Sequence, residues 1–201
     1  MPQFRDSLLT IMLSCAIVLP SALTTVQGQT ASTGNVKLAL KAVLVLTPEF
    51  CATKTKKGGF WSGKETFPIG KAACKELEPA LKEAFSDLTR VAAAPASGDA
   101  QVVLTPRLVD VGATKALGAF SNREMVVLLE WTVKDKAGTT LWLETVQGSA
   151  KHHMGNAFTH GKNVKLIAED SVKDAAEQSA TKMSAAPELR KLANTNGGSS
   201  N

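Results

Sequence analysis

Tyrosine is absent from this chain, and phenylalanine with tryptophan brings the aromatic share to only 5%. So sparse a set offers no platform of rings on which bases could stack, which argues against a nucleic-acid ligand. Catalytic signatures are missing too: there is no GxSxG elbow, no HExxH helix and no cysteine–histidine pair in a helix-opening context. Lone serines such as Ser62 and Ser121 have no identifiable base. Asp110, Glu130 and Glu144 are carboxylates close to apolar strands, but the lysines and threonines around them can simply solvate them. These absences exclude the common hydrolase chemistries and leave no enzyme to assign.

Long apolar runs are also lacking beyond the first residues, where nothing approaches the ~18 consecutive apolar residues that make a spanning helix. The opening is different. MPQFRDS carries Arg5, LLTIMLSCAIVLPSAL is apolar but broken by Pro20, and Val26 and Gly28 place small residues before Gln29. This is the pattern of a secretory signal peptide over residues 1–28, followed by a polar leader, QTASTGN, at 29–35. A lipid anchor is the competing reading. Met12-Leu13-Ser14-Cys15 loosely resembles a lipobox with Cys15 as the acceptor, although the apolar region continues past that cysteine. Either way the chain is expected to be exported, to the periplasm or an outer-membrane-associated position. Its net charge of +5 survives removal of the leader, because Arg5 and Asp6 leave together. A basic balance outside the cytoplasm favours acidic lipid headgroups or envelope polymers as partners, or is merely a basic soluble surface.

Cysteine is scarce: Cys15, Cys51 and Cys74. The spacing fits neither a CxxC redox pair nor a four-ligand zinc site. Without Cys15 an even number remains, and an oxidising compartment favours a Cys51–Cys74 disulfide over two buried thiols. Such a bridge would constrain the unfolded chain by roughly 3 kcal/mol.

The bridge would enclose GGFWSGKET, Gly58 to Thr66, which nearly spells a phosphate-binding loop. Gly58, Gly63 and Lys64 match, but Glu65 stands where a magnesium-binding hydroxyl belongs, and a carboxylate there repels phosphate. Moreover TKTKK precedes the stretch where a buried strand should, and Phe67 and Pro68 delay the helix that should follow. What remains is a cationic loop of Lys54, Lys56, Lys57 and Lys64 bearing Phe60 and Trp61. The two rings either form a tip for a membrane surface or acidic partner, or fold back onto the core.

Apolar periodicity organises the rest as one domain over residues 36–193. VKLALKAVLVL (36–46) reads as a strand closed by Thr47-Pro48, and residues 49–70 as a long loop. Leu77, Leu81, Ala84, Phe85 and Leu88 recur at helical spacing, with Pro79 in the first turn or kinking it. VAAAPASGD is a loop, and QVVLTPRLVDV (101–111) is a strand whose Pro106 argues for an edge or a bulge. Two further strands lie in EMVVLLEWTVKDKAGTTLWLETVQGSA (124–150). Asp135 to Thr139 suits a three-residue hairpin loop with Gly138 left-handed. That register sets Val133 opposite Leu141 and Trp131 opposite Leu143. The core face then holds Val127, Leu129, Trp131, Val133, Leu141 and Leu143, and the outer face holds Leu128, Glu130, Thr132, Trp142, Glu144 and Val146. A final helix over 163–183 carries Ala168, Val172, Ala175, Ala176, Ser179 and Met183 in one stripe, a short helix restarts through Leu192, and 194–201 is a disordered tail. The order is strand, helix, three strands, helix: an α+β fold, a two-layer sandwich of about four strands with both helices on one face. No cofactor is called for.

KHHMGNAFTH brings His152, His153 and His160 close together beside Met154, and imidazole with thioether suits copper. Adjacent histidines at a strand end point to opposite sides, however, so metal binding here is the alternative to a solvated loop.

DAQVVLTPRLVDVG followed by the Asp-x-x-Gly turn and Leu-Trp strand resembles a group of bacterial envelope proteins. These are the auxiliary lipoproteins of ABC-type transporters and the lipopolysaccharide-assembly lipoprotein group. The likeness rests on Asp99, Ala100, Val102, Leu104, Asp135, Gly138, Leu141 and Trp142 and runs over residues 36–185. It implies a non-catalytic accessory protein that offers a sheet and two helices to a transport, secretion or assembly partner, or to lipid, with no catalytic residues to transfer. Leu128 and Trp142 on the outer face, with the lysine–aromatic loop, are the candidate contacts.

Overall fold

Leu38, Leu40 and Ala42 alternate with exposed or half-buried neighbours before Leu44 and Val45 are both buried, and this strand, β1 (Leu38–Val45), lies inside a five-stranded sheet. The structure, a computed structural model, describes residues 37–58, 64–95, 99–114, 122–153 and 160–197. The leader, Cys15, the polar stretch 29–35 and the ring pair Phe60 and Trp61 lie outside the described residues. After β1 come α1 (Pro48–Ala52), β2 (Thr55–Gly58), β3 (Lys64–Phe67), α2 (Ile69–Leu81) and β4 (Phe85–Val91). β5 (Val102–Ala113), β6 (Asn122–Asp135), β7 (Thr140–His153), α3 (His160–Ala185) and α4 (Pro187–Gly197) complete the chain. α4 runs on to Gly197 rather than ending at Leu192.

The fold is α+β. The sheet order is β4-β1-β5-β6-β7, with β1 parallel to β4 and to β5 and the last strands antiparallel. Helices cover one face, where Val127, Leu129, Trp131 and Val133 of β6 are fully buried against Ile167, Ala168, Val172, Ala175, Ala176 and Met183 of α3. The stripe anticipated on this helix is therefore its core face. Trp131 Nε1 donates to Ser179 Oγ at 2.8 Å, and that hydroxyl donates on to the Ala175 carbonyl at 2.6 Å, so the buried indole N–H costs nothing in lost hydrogen bonding.

Several expectations give way to the structure. Residues 85–91 form a strand, β4, because Phe85 pairs in parallel with Leu38. Phe85 and Leu88 fit a helical period with Leu77 and Leu81, but the helix stops at Leu81. A strand paired on one side only exposes Ser86, Asp87, Thr89 and Arg90, so no alternation announces it. α2 begins at Ile69, so Pro79 sits in its last turn, not its first. The supposed loop 49–70 contains α1, capped by Thr47 Oγ1 accepting from Phe50 N at 3.1 Å, and the antiparallel pair β2–β3. Pro106, by contrast, meets its expectation of an edge or a bulge: it pairs with Trp131 of β6, the β1–β5 ladder covers only Val102–Leu104, and a register shift follows at Leu108/Asp110.

The hairpin turn is as expected and its register is not. Asp135 N donates to the Thr139 carbonyl at 2.9 Å, Asp135 Oδ1 accepts from Ala137 N and Thr139 N, and Gly138 has φ 84°. A register shift between Lys134↔Thr140 and Val133↔Trp142 then makes Leu141 an extra residue. Every later side chain on β7 changes face. Trp142 joins the helix-covered side, packed against the core, and Leu143 turns outward with 62% of its surface exposed. Burying the larger ring under the helices and turning out the leucine is the choice that removes more apolar area from water.

Candidate functional site

On either side of residues 59–63, which lie outside the described residues, the chain forms the antiparallel hairpin pair β2–β3, and the next helix begins only at Ile69. Gly58 pairs with Lys64, Lys57 with Glu65 and Lys56 with Thr66. Glu65 is not facing phosphate. Its carboxylate pairs with the guanidinium of Arg123, at the start of β6, which is fully buried and sits 4.9 Å from the centre of the Phe67 ring. Burial lowers the arginine's pKa, and Glu65 supplies the counter-charge that keeps so dry a cation tolerable. The flat guanidinium stacked on Phe67 adds a cation–π contact.

On the same face of the hairpin, Lys57, the cross-strand partner of Glu65, places its Nζ 3.5 Å from Asp110 Oδ1 of β5. Asp110 is in register with Leu128 of β6, whose partner on β7 is Gln147. The hairpin thus sits at one end of the sheet, tied to the core side through Glu65 and to the uncovered side through Lys57. Lys54 and Lys56 are exposed, and the Lys64 side chain lies outside the described residues.

Cys51 and Cys74 are joined in a disulfide, with Cα atoms 5.6 Å apart. It links α1 to α2 and closes the segment that carries the hairpin. Arg90 of β4 braces the junction, donating from Nη1 to the Cys74 carbonyl at 2.9 Å and from Nη2 to Cys51 Sγ at 3.7 Å. Gly70 lets α2 meet α1 at backbone distance: a Cβ there would lie 2.7 Å from Thr53 N and 2.9 Å from the Cys51 carbonyl carbon.

The outer face of the sheet carries no helix among the described residues. Leu128 and Val126 are half-buried there, Leu143 is exposed, and Val109, at the β5 irregularity, is 44% exposed. Trp142, expected on this face, is on the other. Glu130 does lie outward, but its neighbour is Arg107, whose Nε donates to Glu130 Oε1 at 2.9 Å. Glu144 faces the helices and pairs with Lys182. The carboxylates therefore form ion pairs on opposite faces and do not assemble an acid–base couple.

The Arg107 hydrogen bond holds the Glu130 carboxyl below the ordinary glutamate pKa. A carboxyl whose folded pKa is depressed stabilises the fold above its unfolded pKa and loses that contribution as pH falls through the folded value. Glu130→Gln should therefore melt at a lower temperature than the parent chain at neutral pH, with the gap closing in acid. Thermal melts over a pH series read this directly, and a gap that widens in acid contradicts it.

His152 Nε2 is 2.6 Å from Asp170 Oδ2 of α3, while the His153 carbonyl accepts from Asn163 Nδ2 at 3.0 Å. His160 opens α3, with its side chain outside the described residues. Among the described residues no group of histidine, cysteine and carboxylate side chains could hold a metal ion.

Arg123 escaped the sequence reading, although a usable signal existed. It has the same parity as Met125, Val127, Leu129, Trp131 and Val133, so extending β6 by one step places a cation on the core face, in need of a partner.

No protein-family model matches this chain, and no curated protein does. Solved structures do resemble it. A Xanthomonas campestris protein of the DUF330 family superposes with a TM-score of 0.51 at 6% identity, over 80% of this chain and 90% of that one. A minor lipoprotein from Acinetobacter baumannii gives 0.49 at 14% identity, over 75% of this chain and 94% of the other. PelC from Paraburkholderia phytofirmans, crystallised as a dodecamer, gives 0.40 at 16% identity, over 71% and 90%. At such identities the likeness is one of fold. The chain has the two-layer α+β architecture of the DUF330 structure, and bacterial lipoproteins are among its structural neighbours. Among the described residues no helix is long and apolar enough to cross a membrane.

Proposed function

We propose that this is an exported, non-catalytic accessory protein of the bacterial cell envelope that works by contact. The hairpin lysines Lys54, Lys56, Lys57 and Lys64, with Phe60 and Trp61, meet an anionic lipid or acidic partner surface. The uncovered sheet face around Leu128 extends that contact. The observation that supports the reading is the Lys57–Asp110 ion pair, which brings the basic hairpin beside the strand position paired with Leu128. The signal-like leader and the Cys51–Cys74 bridge, a bond of oxidising compartments, support export.

Vesicle co-sedimentation tests it. The protein should bind vesicles containing phosphatidylglycerol at low salt, bind weakly to pure phosphatidylcholine, and release as salt shortens the screening length. Lys54→Glu with Lys56→Glu should lower the affinity about 30-fold, at about 1 kcal/mol for each lysine removed from the surface. Equal binding to both vesicle types, or a double variant that binds like the parent, rejects the lipid contact. Recovery of the protein from the cytosol with Met1 in place rejects export.

A further inference from the structure

β7 is an edge strand, and only part of its free edge is covered. Side chains of α3 reach the half nearer His153: Asp174 Oδ2 accepts from Ser149 N at 2.7 Å, and Asn163 Nδ2 donates to the His153 carbonyl. These bonds set the parity of the strand. Backbone groups of its odd-numbered residues point away from β6. Leu143, Thr145 and Gln147 belong to that set and are exposed, and among the described residues nothing hydrogen-bonds to their outward N–H and C=O groups. The helix leaves this half open because it crosses the sheet obliquely. Its backbone lies on Gly148 of β7, whereas Ser179 is already above Trp131 of β6.

An unpaired edge beside an exposed leucine is a template for another strand. Residues 142–147 contain no proline, no lysine and no bulge, and the inward carboxylate of Glu144 is neutralised by Lys182. We propose that the occupant is a second copy of this chain, paired antiparallel, β7 to β7, about a two-fold axis at Thr145.

Symmetry and charge both select that partner. Setting Thr145 opposite Thr145, and Leu143 opposite Gln147 of the second copy, uses the outward groups of residues 143, 145 and 147 and stops where Ser149 N is already held by Asp174. An edge that is its own complement closes a two-fold pair without leaving a new free end. On the helix side the two Glu144 residues become diagonal neighbours, with Cα atoms about 7–8 Å apart across an antiparallel pair. Each brings its own Lys182, so charges of opposite sign alternate around the axis. On the outer face Leu143 gains the stem of Gln147 and the methyl of Thr145 as cover.

Sedimentation equilibrium of the isolated protein should show a monomer–dimer equilibrium. Leu143→Lys with Gln147→Lys places like charges opposite one another twice, on side chains already exposed, so the melting temperature should hold while association falls about tenfold. Register is read by cysteine pairing in a Cys15→Ser background. Thr145→Cys should oxidise to a covalent dimer, since a hydrogen-bonded pair puts Cα atoms about 5.5 Å apart. Leu143→Cys alone should not, whereas an equal mixture of Leu143→Cys and Gln147→Cys should. A monomer at every concentration overturns the proposal. So does a dimer that the lysine pair leaves intact, or one that Leu143→Cys locks and Thr145→Cys does not. These measurements are made without vesicles, and the Lys54 and Lys56 substitutions that test the lipid contact leave residues 142–147 unchanged, so the two readings fail separately.

Discussion

Gly148→Ala is expected to destabilise the folded chain by about 3 kcal/mol or more, the upper end of the cost of overpacking. Gly148 is buried in β7 beneath α3, and a Cβ built there falls 2.6 Å from Ala175 Cα, closer still to Ala175 N and to the Ser171 carbonyl oxygen. All of these are backbone atoms, so no side chain can rotate out of the way. The helix must lift, and lifting it loosens the contacts of Ala175, Ala176 and Ser179 with β6 and β7. For a domain of this size the loss corresponds to a melting temperature lower by about 10 °C. Gly112→Ala is the control: its Cβ would meet only Val126 Cβ, at an ordinary 3.8 Å. Urea denaturation of the two variants separates the cases. Equal midpoints would mean that α3 does not rest on the strand at Gly148.

Arg123→Leu should cost about 3–5 kcal/mol, because it leaves the Glu65 carboxylate under the hairpin without its counter-charge. The Glu65 side chain is only 16% exposed, too little for water to replace the arginine in full. The informative variant is the double one. Arg123→Leu with Glu65→Leu removes both charges, and replacing a buried ion pair by apolar side chains is often close to neutral, so most of the lost stability should return. If the double variant is as unstable as Arg123→Leu, the guanidinium's packing on Phe67 matters more than its charge. Hydrogen exchange at the β2–β3 amides locates the damage, which should begin in the hairpin and not in α3.

The turn from Asp135 to Thr139 was legible because its determinants are local: a side-chain oxygen near its own backbone, and a glycine where φ must be positive. The α3 stripe was legible because an apolar period sustained over several turns has one interpretation. β4 was not, since Phe85 and Leu88 satisfy two periods at once and only Leu38, far back in the chain, decides between them. The β7 faces were not legible either. Leu141-Trp142-Leu143 is apolar throughout, so alternation cannot say which residue is the extra one.

For the candidate site the division is similar. The lysines of the hairpin, the even cysteine pair and the failure of the phosphate-loop pattern at Glu65 could be read directly. The pairing of Glu65 with Arg123, the link from Lys57 to Asp110 and the open half of β7 could not.

By itself the sequence determined the α+β class, the hairpin turn and the buried stripe of α3. Each depends on spacing within one segment, where sterics and apolar periodicity act over a few residues. Tertiary structure alone decided that β1 pairs with β4, that Trp142 goes in and Leu143 out, and that Glu65 meets Arg123 58 residues away. Those outcomes compare the burial of competing side chains, or the cost of a dry charge, against groups that the folded chain brings together, and no single segment contains both terms of the comparison.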